Sequence, residues 1–218
     1  MKIQWLGHSC FKLEESTGTT IVTDPYDLRT LESEMQKISA DAVTISHNHH
    51  DHNAVENISN NPLIIKEVGS WEIKGVDIVS LLSNHDERNG KKRGSNLIFK
   101  YRMDGVDICH MGDVGEECTV KLSEAIGTVN ILMIPVGGNV TIDAEQAKEY
   151  VDLLMPDIVI PMHFKTSSSK SNIEKLNEFL NLFDEEQIMN VEGESIEFDR
   201  SQFEGDFTRV VVFDDSNF

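Results

Sequence analysis

The sequence predicts an α+β fold in a single domain covering residues 1–218, two or more layers thick, on three observations. Short apolar segments rich in β-branched residues alternate with stretches of helical spacing along most of the chain. The first of these segments are separated by turn residues only, which makes the entrance to the fold an antiparallel meander. The chain is long enough to bury a sizeable core, and no repeat of 20 to 50 residues divides it.

Ile3–Leu6, Cys10–Glu14 and Thr19–Thr23 read as the three strands of that meander, with Gly7-His8 and Ser16-Thr17-Gly18 between them. Pro25 ends the third strand and leaves Asp24 at its carboxyl end. Arg29–Ile38 is moderately helical and polar, with no role assigned. Ala42–Ser46 is a buried strand, followed by a histidine-rich loop where a helix could begin. Leu63–Ile65 and Val76–Leu82 are further strands, and Leu97–Arg102 and Val106–Met111 form a hairpin around Asp104-Gly105. Thr119 caps a short helix that Gly127 stops. Asn130–Pro135 is a strand that runs into the tight loop Val136-Gly137-Gly138-Asn139. Ala144, Ala147, Val151 and Leu154 then recur at helical spacing, with Asp143 as N-cap and Pro156 closing the helix. Asp157–Pro161 is the next strand. Ser171-Asn172-Ile173-Glu174 matches a capping box, which predicts a helix burying Ile173, Leu176, Phe179, Leu180 and Phe183. Ser195–Phe198 and Thr208–Phe213 end the chain as strands.

Composition narrows the function. Apolar residues are 39% and charged ones 26%, an ordinary soluble balance, and no apolar run approaches the roughly 18 residues of a membrane span. Met1-Lys2 leads straight into the first strand without a signal peptide, so a cytoplasmic protein is expected. Cys10, Cys109 and Cys118 are odd in number and form no Cys-x-x-Cys pair, which indicates neither a disulfide framework nor a thiolate zinc site. All three read as structural. The net charge of −19, to which eleven acidic residues between Asp184 and Phe218 contribute, would repel a phosphate backbone and disfavours nucleic acid as a partner.

Chemistry concentrates in Ser46-His47-Asn48-His49-His50-Asp51-His52, where half of the eight histidines fall within six residues. Imidazoles and a carboxylate suit a borderline-soft divalent ion, and alternate residues of extended chain point the same way. His47 and His49 can therefore share one ion, while Asp51 and His52, one bend further on, address a second. Other strand ends complete the pattern. His85 opens the long polar loop 84–96 and is a third imidazole for the first ion, His163 supplies the second, and Asp113, after Gly112, is placed to bridge them. His110 falls on the opposite strand face from Asp113 and is read as buried and structural. Asp24 and His8 are expected to stand behind the ligands and orient them, because a metal-bound imidazole commonly donates its other N–H to a carboxylate. Lys91, Lys92 and Arg93 make the densest basic run, and together with Lys165 they suggest an anionic substrate, with Arg93, Asn96 and Lys165 as candidate contacts.

His47-x-His49-x-Asp51-His52, His85, Asp113 and His163 resemble, in order and spacing, the five metal motifs of the metallo-β-lactamase fold superfamily. The resemblance covers nearly the whole chain. Trp5-Leu6-Gly7-His8-Ser9-Cys10-Phe11, Thr23-Asp24-Pro25, Gly112-Asp113 and Ile160-Pro161-Met162-His163 look more narrowly like the stand-alone group of metal-dependent hydrolases that includes ascorbate-6-phosphate lactonase-like proteins. It implies a four-layer αββα sandwich of two similar halves with the site at one edge of the paired sheets. Carried over, His47, His49 and His85 would hold one ion and Asp51, His52 and His163 the other, with Asp113 between.

Two such ions, zinc first and manganese or iron also fitting nitrogen and carboxylate ligands, would make hydroxide available at neutral pH. Asp51 is the candidate to accept a proton from the attacking water. The expected activity is hydrolysis of a small anionic ester, lactone or phosphodiester. A nuclease-type phosphodiesterase and a non-catalytic metal-binding or sensing protein are the alternatives. The expected partner is a small molecule, with no membrane and with a homo-oligomer left open.

Overall fold

The structure is a computed structural model and describes residues 1–27, 29–32, 35, 37–203 and 207–215. Its first strands are β1 (Lys2–Trp5), β2 (Phe11–Glu14), β3 (Thr20–Thr23), β4 (Ile38–Ser39), β5 (Ala42–Thr44), β6 (Ile58–Ser59) and β7 (Leu63–Ile65). Next come β8 (Ser70–Ile73), β9 (Val76–Asn84), β10 (Ser95–Met103) and β11 (Val106–His110). Helix α1 (Val120–Ile126), β12 (Ile131–Pro135), α2 (Ala144–Leu154), β13 (Ile158–Met162) and α3 (Leu176–Leu180) follow, then β14 (Ile188–Val191), β15 (Ser195–Glu197) and β16 (Arg209–Phe213).

These strands build a six-stranded sheet in the order β15-β1-β2-β3-β5-β7 and an eight-stranded sheet in the order β14-β16-β13-β12-β11-β10-β9-β8. The pleat divides the apolar residues: Ile21 and Ala42 join the core shared by the two sheets, whereas their neighbours Val22 and Val43 join a second cluster with Tyr26, Leu31 and Ile58. β12 and β13 are buried along their whole length, as strands inside a parallel stretch covered on both faces must be. Each fully buried aliphatic or aromatic side chain contributes about 1.5–3 kcal/mol by leaving water. Ala147, Tyr150, Val151 and Leu154 of α2 pack into the same core, so the helices lie on the eight-stranded sheet.

The α+β sandwich is the expected one, with particular departures. Over the outer face of the six-stranded sheet the described chain carries the short parallel pair β4 and β6 and one 3-10 turn at Val55–Asn57, and among the described residues no α-helix stands between the histidine cluster and β7. The helix expected over 29–38 falls partly on residues 33, 34 and 36, outside the described ones; Leu31 bridges to Ser169 and Ile38 opens β4. Thr119 caps α1 by accepting the Leu122 N–H, and Asp143 and Gln146 form the capping box of α2. The capping box expected at Ser171 does not form. Glu174 donates its N–H to the Gly137 carbonyl and accepts that of Lys165, so the stretch is spent on cross-chain pairing and α3 starts only at Leu176. Among the described residues no helix is long and apolar enough to cross a membrane.

Candidate metal centre

Strand direction gathers the site. β2 is antiparallel to β1 and β3, and β5 is parallel to β3, so β1, β3 and β5 point one way. In the other sheet β9, β11 and β13 share one direction for the same reason. His8, Asp24 and the His47–His52 segment leave the carboxyl ends of the first three. His85, Asp113 and His163 leave the carboxyl ends of the second three.

Of the six other predicted ligand residues, four bring an imidazole Nε2 to the Asp113 carboxylate. Its Oδ1 lies 3.3 Å from His52 Nε2, and its Oδ2 lies 3.3 Å from His163 Nε2, 3.6 Å from His85 Nε2 and 3.8 Å from His47 Nε2. His47, His49 and His85 bring one donor atom each within 4.8 Å of one another, and so do His8, Asp51, His52 and His163. Two atoms bound to one ion at about 2.1 Å stand roughly 3–4 Å apart, so both sets have ligand spacing. Nε2 of His47, His52 and His163 and Asp113 Oδ1 are buried and hydrogen-bond to no protein group, which suits atoms reserved for a cation. The donor set therefore fits divalent metal.

Behind these atoms the chain fixes the His52 and His47 rings. Asp24 Oδ2 faces His52 Nδ1 at 2.8 Å and accepts the Ser46 hydroxyl at 2.6 Å, and Ser46 Oγ lies 3.0 Å from His47 Nδ1. Asp113 is held through its backbone: Asn96 Oδ1 accepts the Asp113 N–H at 2.9 Å. Gly112, at φ +56°, lies so close that a Cβ there would overlap Asn96 Oδ1 and Ser46 Cβ. His8, Asp24 and His163 take φ of 54°, 39° and 52°, a left-handed backbone that costs a non-glycine residue about 1–3 kcal/mol and marks positions held by their surroundings.

Burial pushes the His47 imidazole down to about 3 and His8 down to about 4, with the charges of His52 and His163 respectively adding to it. Burial also lowers His85. These rings present lone pairs at neutral pH. Burial opposes charge on His52 and Asp113 too, yet Asp113 and Asp24 hold His52 well above its ordinary value, and His163 and His52 hold Asp113 well below. The centre attracts cations.

A cleft of about 270 Å³ opens onto these residues, lined by His49, His50, Asp51, His85, Arg93, Asp113, Asn139, Val140, His163 and Ser171–Ile173. Two larger hollows, of about 620 and 580 Å³, lie beside Glu14, Glu15 and Glu197 and beside Glu145, Glu174 and Glu178. Among the described residues neither holds a converging donor set, so size does not locate the site. Of the expected substrate contacts, Arg93 alone lines the cleft. Lys165 does not, because its ammonium is taken by the Ser169 and Ser171 carbonyls at 2.6 and 2.8 Å. Asn96 has no exposed surface and spends its amide N–H groups on Ser83 Oγ and the Met111 carbonyl. It positions Asp113 instead. Loop 84–96 is ordered by buried Asp86, which accepts the N–H groups of Arg88, Lys92 and Arg93. The glycine loop ending at Asn139 reaches the cleft, as its glycines suggest, whereas the roles of Ser46 and Asp86 and the wall of Ser171–Ile173 escaped the sequence reading; an Asp directly after His85 and before a glycine-containing loop was the one local signal among them.

Two packed sheets with imidazoles and carboxylates gathered at one rim define a metal-dependent hydrolase of the metallo-β-lactamase fold. The chain belongs to the family described as the beta-lactamase superfamily domain, which matches residues 2–163. A UPF0173 metal-dependent hydrolase of Thermococcus onnurineus is 30% identical, over 76% of this chain and 85% of that one. One from Koribacter versatilis is 29% identical over 82% and 92%. A solved structure from Thermotoga maritima, described as a candidate zinc-dependent hydrolase of the metallo-beta-lactamase superfamily, is similar at TM-score 0.80 and 36% identity, covering 97% of each chain. An isothiocyanate hydrolase from Delia radicum gut bacteria shares the fold at TM-score 0.71 and 16% identity, over 91% and 99%.

Proposed function

We propose that the chain hydrolyses a small anionic ester, lactone or phosphodiester with two divalent ions, zinc in first place and manganese or iron as alternatives. The observation that carries this reading is the division of the donor atoms into His47, His49 and His85 on one side and Asp51, His52 and His163 on the other, with Asp113 between. Ions held there would supply an acidified water and a positive charge for the carbonyl or phosphoryl oxygen.

The protein's own groups do the rest. Asp51, 19% exposed at the side chain, faces the cleft and is placed to take a proton from the attacking water. Asp24 and Ser46 keep the His52 and His47 rings turned toward the centre. Arg93 offers charge to an anionic group, and a cleft of about 270 Å³ falls at the small end of ligand pockets, whose usual range begins near 300 Å³. Among the described residues Arg93 is the only lysine or arginine lining it, which is too little positive charge to track a nucleic-acid backbone. An enzyme acting on a small molecule fits these features.

Elemental analysis of protein purified without added metal, then ester, lactone and phosphodiester panels with each ion, tests the reading. Two ions per chain and turnover in one panel are expected. Asp51→Asn should retain both ions and lose about 10²-fold or more in turnover. Metal without turnover in every panel would favour the sensing alternative.

A further inference from the structure

Within the two-ion reading above, on which this inference rests, we propose that His8 is itself a ligand of the second cation, alongside Asp51, His52 and His163. His8 sits in the turn between β1 and β2, and its side chain is buried with neither ring nitrogen hydrogen-bonded to the protein. A histidine kept for packing behaves as His110 does: that Nε2 lies 2.9 Å from the Ser9 carbonyl, and its Nδ1 accepts the Gly112 N–H at 3.2 Å. His8 has no such partners. Its Nε2 instead lies 3.6 Å from Asp51 Oδ2, too long for a hydrogen bond and right for two atoms on one ion, and its ring centroid is 4.2 Å from that of His163.

The backbone around it is built to hold it there. Trp5 Nε1 donates to the His8 carbonyl at 3.0 Å, and the next carbonyl, of Ser9, is held by His110 and by Thr23 Oγ1 at 3.2 Å. The two ion positions then differ. The first has three imidazoles and Asp113, a four-coordinate set suited to zinc. The second has three imidazoles, Asp51 and Asp113, which suits an ion that accepts higher coordination, such as iron or manganese.

Cobalt(II)-substituted protein tests this without relying on turnover, by counting hyperfine-shifted imidazole N–H resonances. Six are expected from His8, His47, His49, His52, His85 and His163, and five from wild-type protein carrying two ions would overturn the inference while leaving the two-ion reading intact. Uptake of a single ion would remove both. His8→Asn keeps a residue that tolerates the left-handed backbone. It should lose one resonance and bind the second ion at least tenfold more weakly in chelator competition, with the first unchanged. Wild-type affinity for both ions in a folded His8→Asn protein would also overturn it.

Discussion

Asp24 and His52 face each other at 2.8 Å, carboxylate Oδ2 to imidazole Nδ1, with almost no exposed surface on either side chain. Asp24 also accepts the Ser46 N–H at 2.7 Å and the Ser46 hydroxyl, and that hydroxyl reaches His47 Nδ1. One carboxylate therefore orients an imidazole from each ion set. Carboxylates that hold metal-bound imidazoles are worth about 10–100-fold in metal affinity. Asp24→Ala should weaken the second ion by about that factor and the first by less. Chelator competition measures both, and an unchanged second site would show that His52 needs no such support.

The same pair sets a pH dependence in the metal-free protein. Burial raises the Asp24 carboxyl, but His52 outweighs it and holds the group below its ordinary value of about 3.9. His52 is held above its ordinary value of about 6.5 by Asp113 and Asp24. A lowered carboxyl stabilises above its unfolded pKa and loses that contribution as pH falls through the folded one. A raised imidazole stabilises below its unfolded pKa and loses it as pH rises through the folded one. The stability difference between wild type and Asp24→Asn should therefore be largest between about pH 4 and 6.5 and shrink on both sides. Urea denaturation across pH measures it, and a difference flat with pH would contradict the pairing.

Asn96 supports the other side of the centre, since it links the Asp113 N–H, Ser83 Oγ and the Met111 carbonyl. Asn96→Ala would leave buried backbone groups without partners, at a cost of about 2–4 kcal/mol in stability. Loss of Asp113 placement should lower kcat more than it changes KM. A raised KM at unchanged stability would return Asn96 to the role of substrate contact.

Asn96 shows where the sequence stops being readable. Ligand residues announce themselves by local grammar: a strand, then His47-x-His49-x-Asp51-His52, or Gly112-Asp113 at the end of β11. Asp24 was readable for the same reason, as a carboxylate stranded at a strand end by Pro25. What a buried amide or a lysine does depends on what the fold brings beside it. Asn96 pairs across to residues 83, 111 and 113, and Lys165 is captured by carbonyls of its own loop. The capping box expected at Ser171 fails likewise, because Gly137, brought beside it by β12, takes the Glu174 N–H.

Asp86 makes loop 84–96 a fixed wall of the cleft, since its carboxylate accepts three backbone N–H groups of the loop at 2.8 Å each. Asp86→Ala should release the amides of Arg88, Lys92 and Arg93 to fast hydrogen exchange while strand β9 stays protected. Arg93 would then be less well placed, and KM for an anionic substrate should rise with kcat little changed. Undiminished protection in the loop would mean that other contacts order it.

Arg93 is the group from which the anionic character of the substrate is inferred, and the inference separates cleanly from the metal chemistry. It lines the cleft beside His49, His85 and Asp113 but belongs to neither set of donor atoms. Arg93→Gln should leave metal content and kcat near wild type. It should raise KM for a negatively charged substrate by about tenfold, equivalent to ~1.4 kcal/mol and at the low end for a charge-assisted hydrogen bond. A neutral analogue of the same ester or lactone should be bound equally well by both proteins. Steady-state kinetics on the charged and neutral pair decides it, and equal losses on both would mean that Arg93 shapes the cleft rather than reading charge.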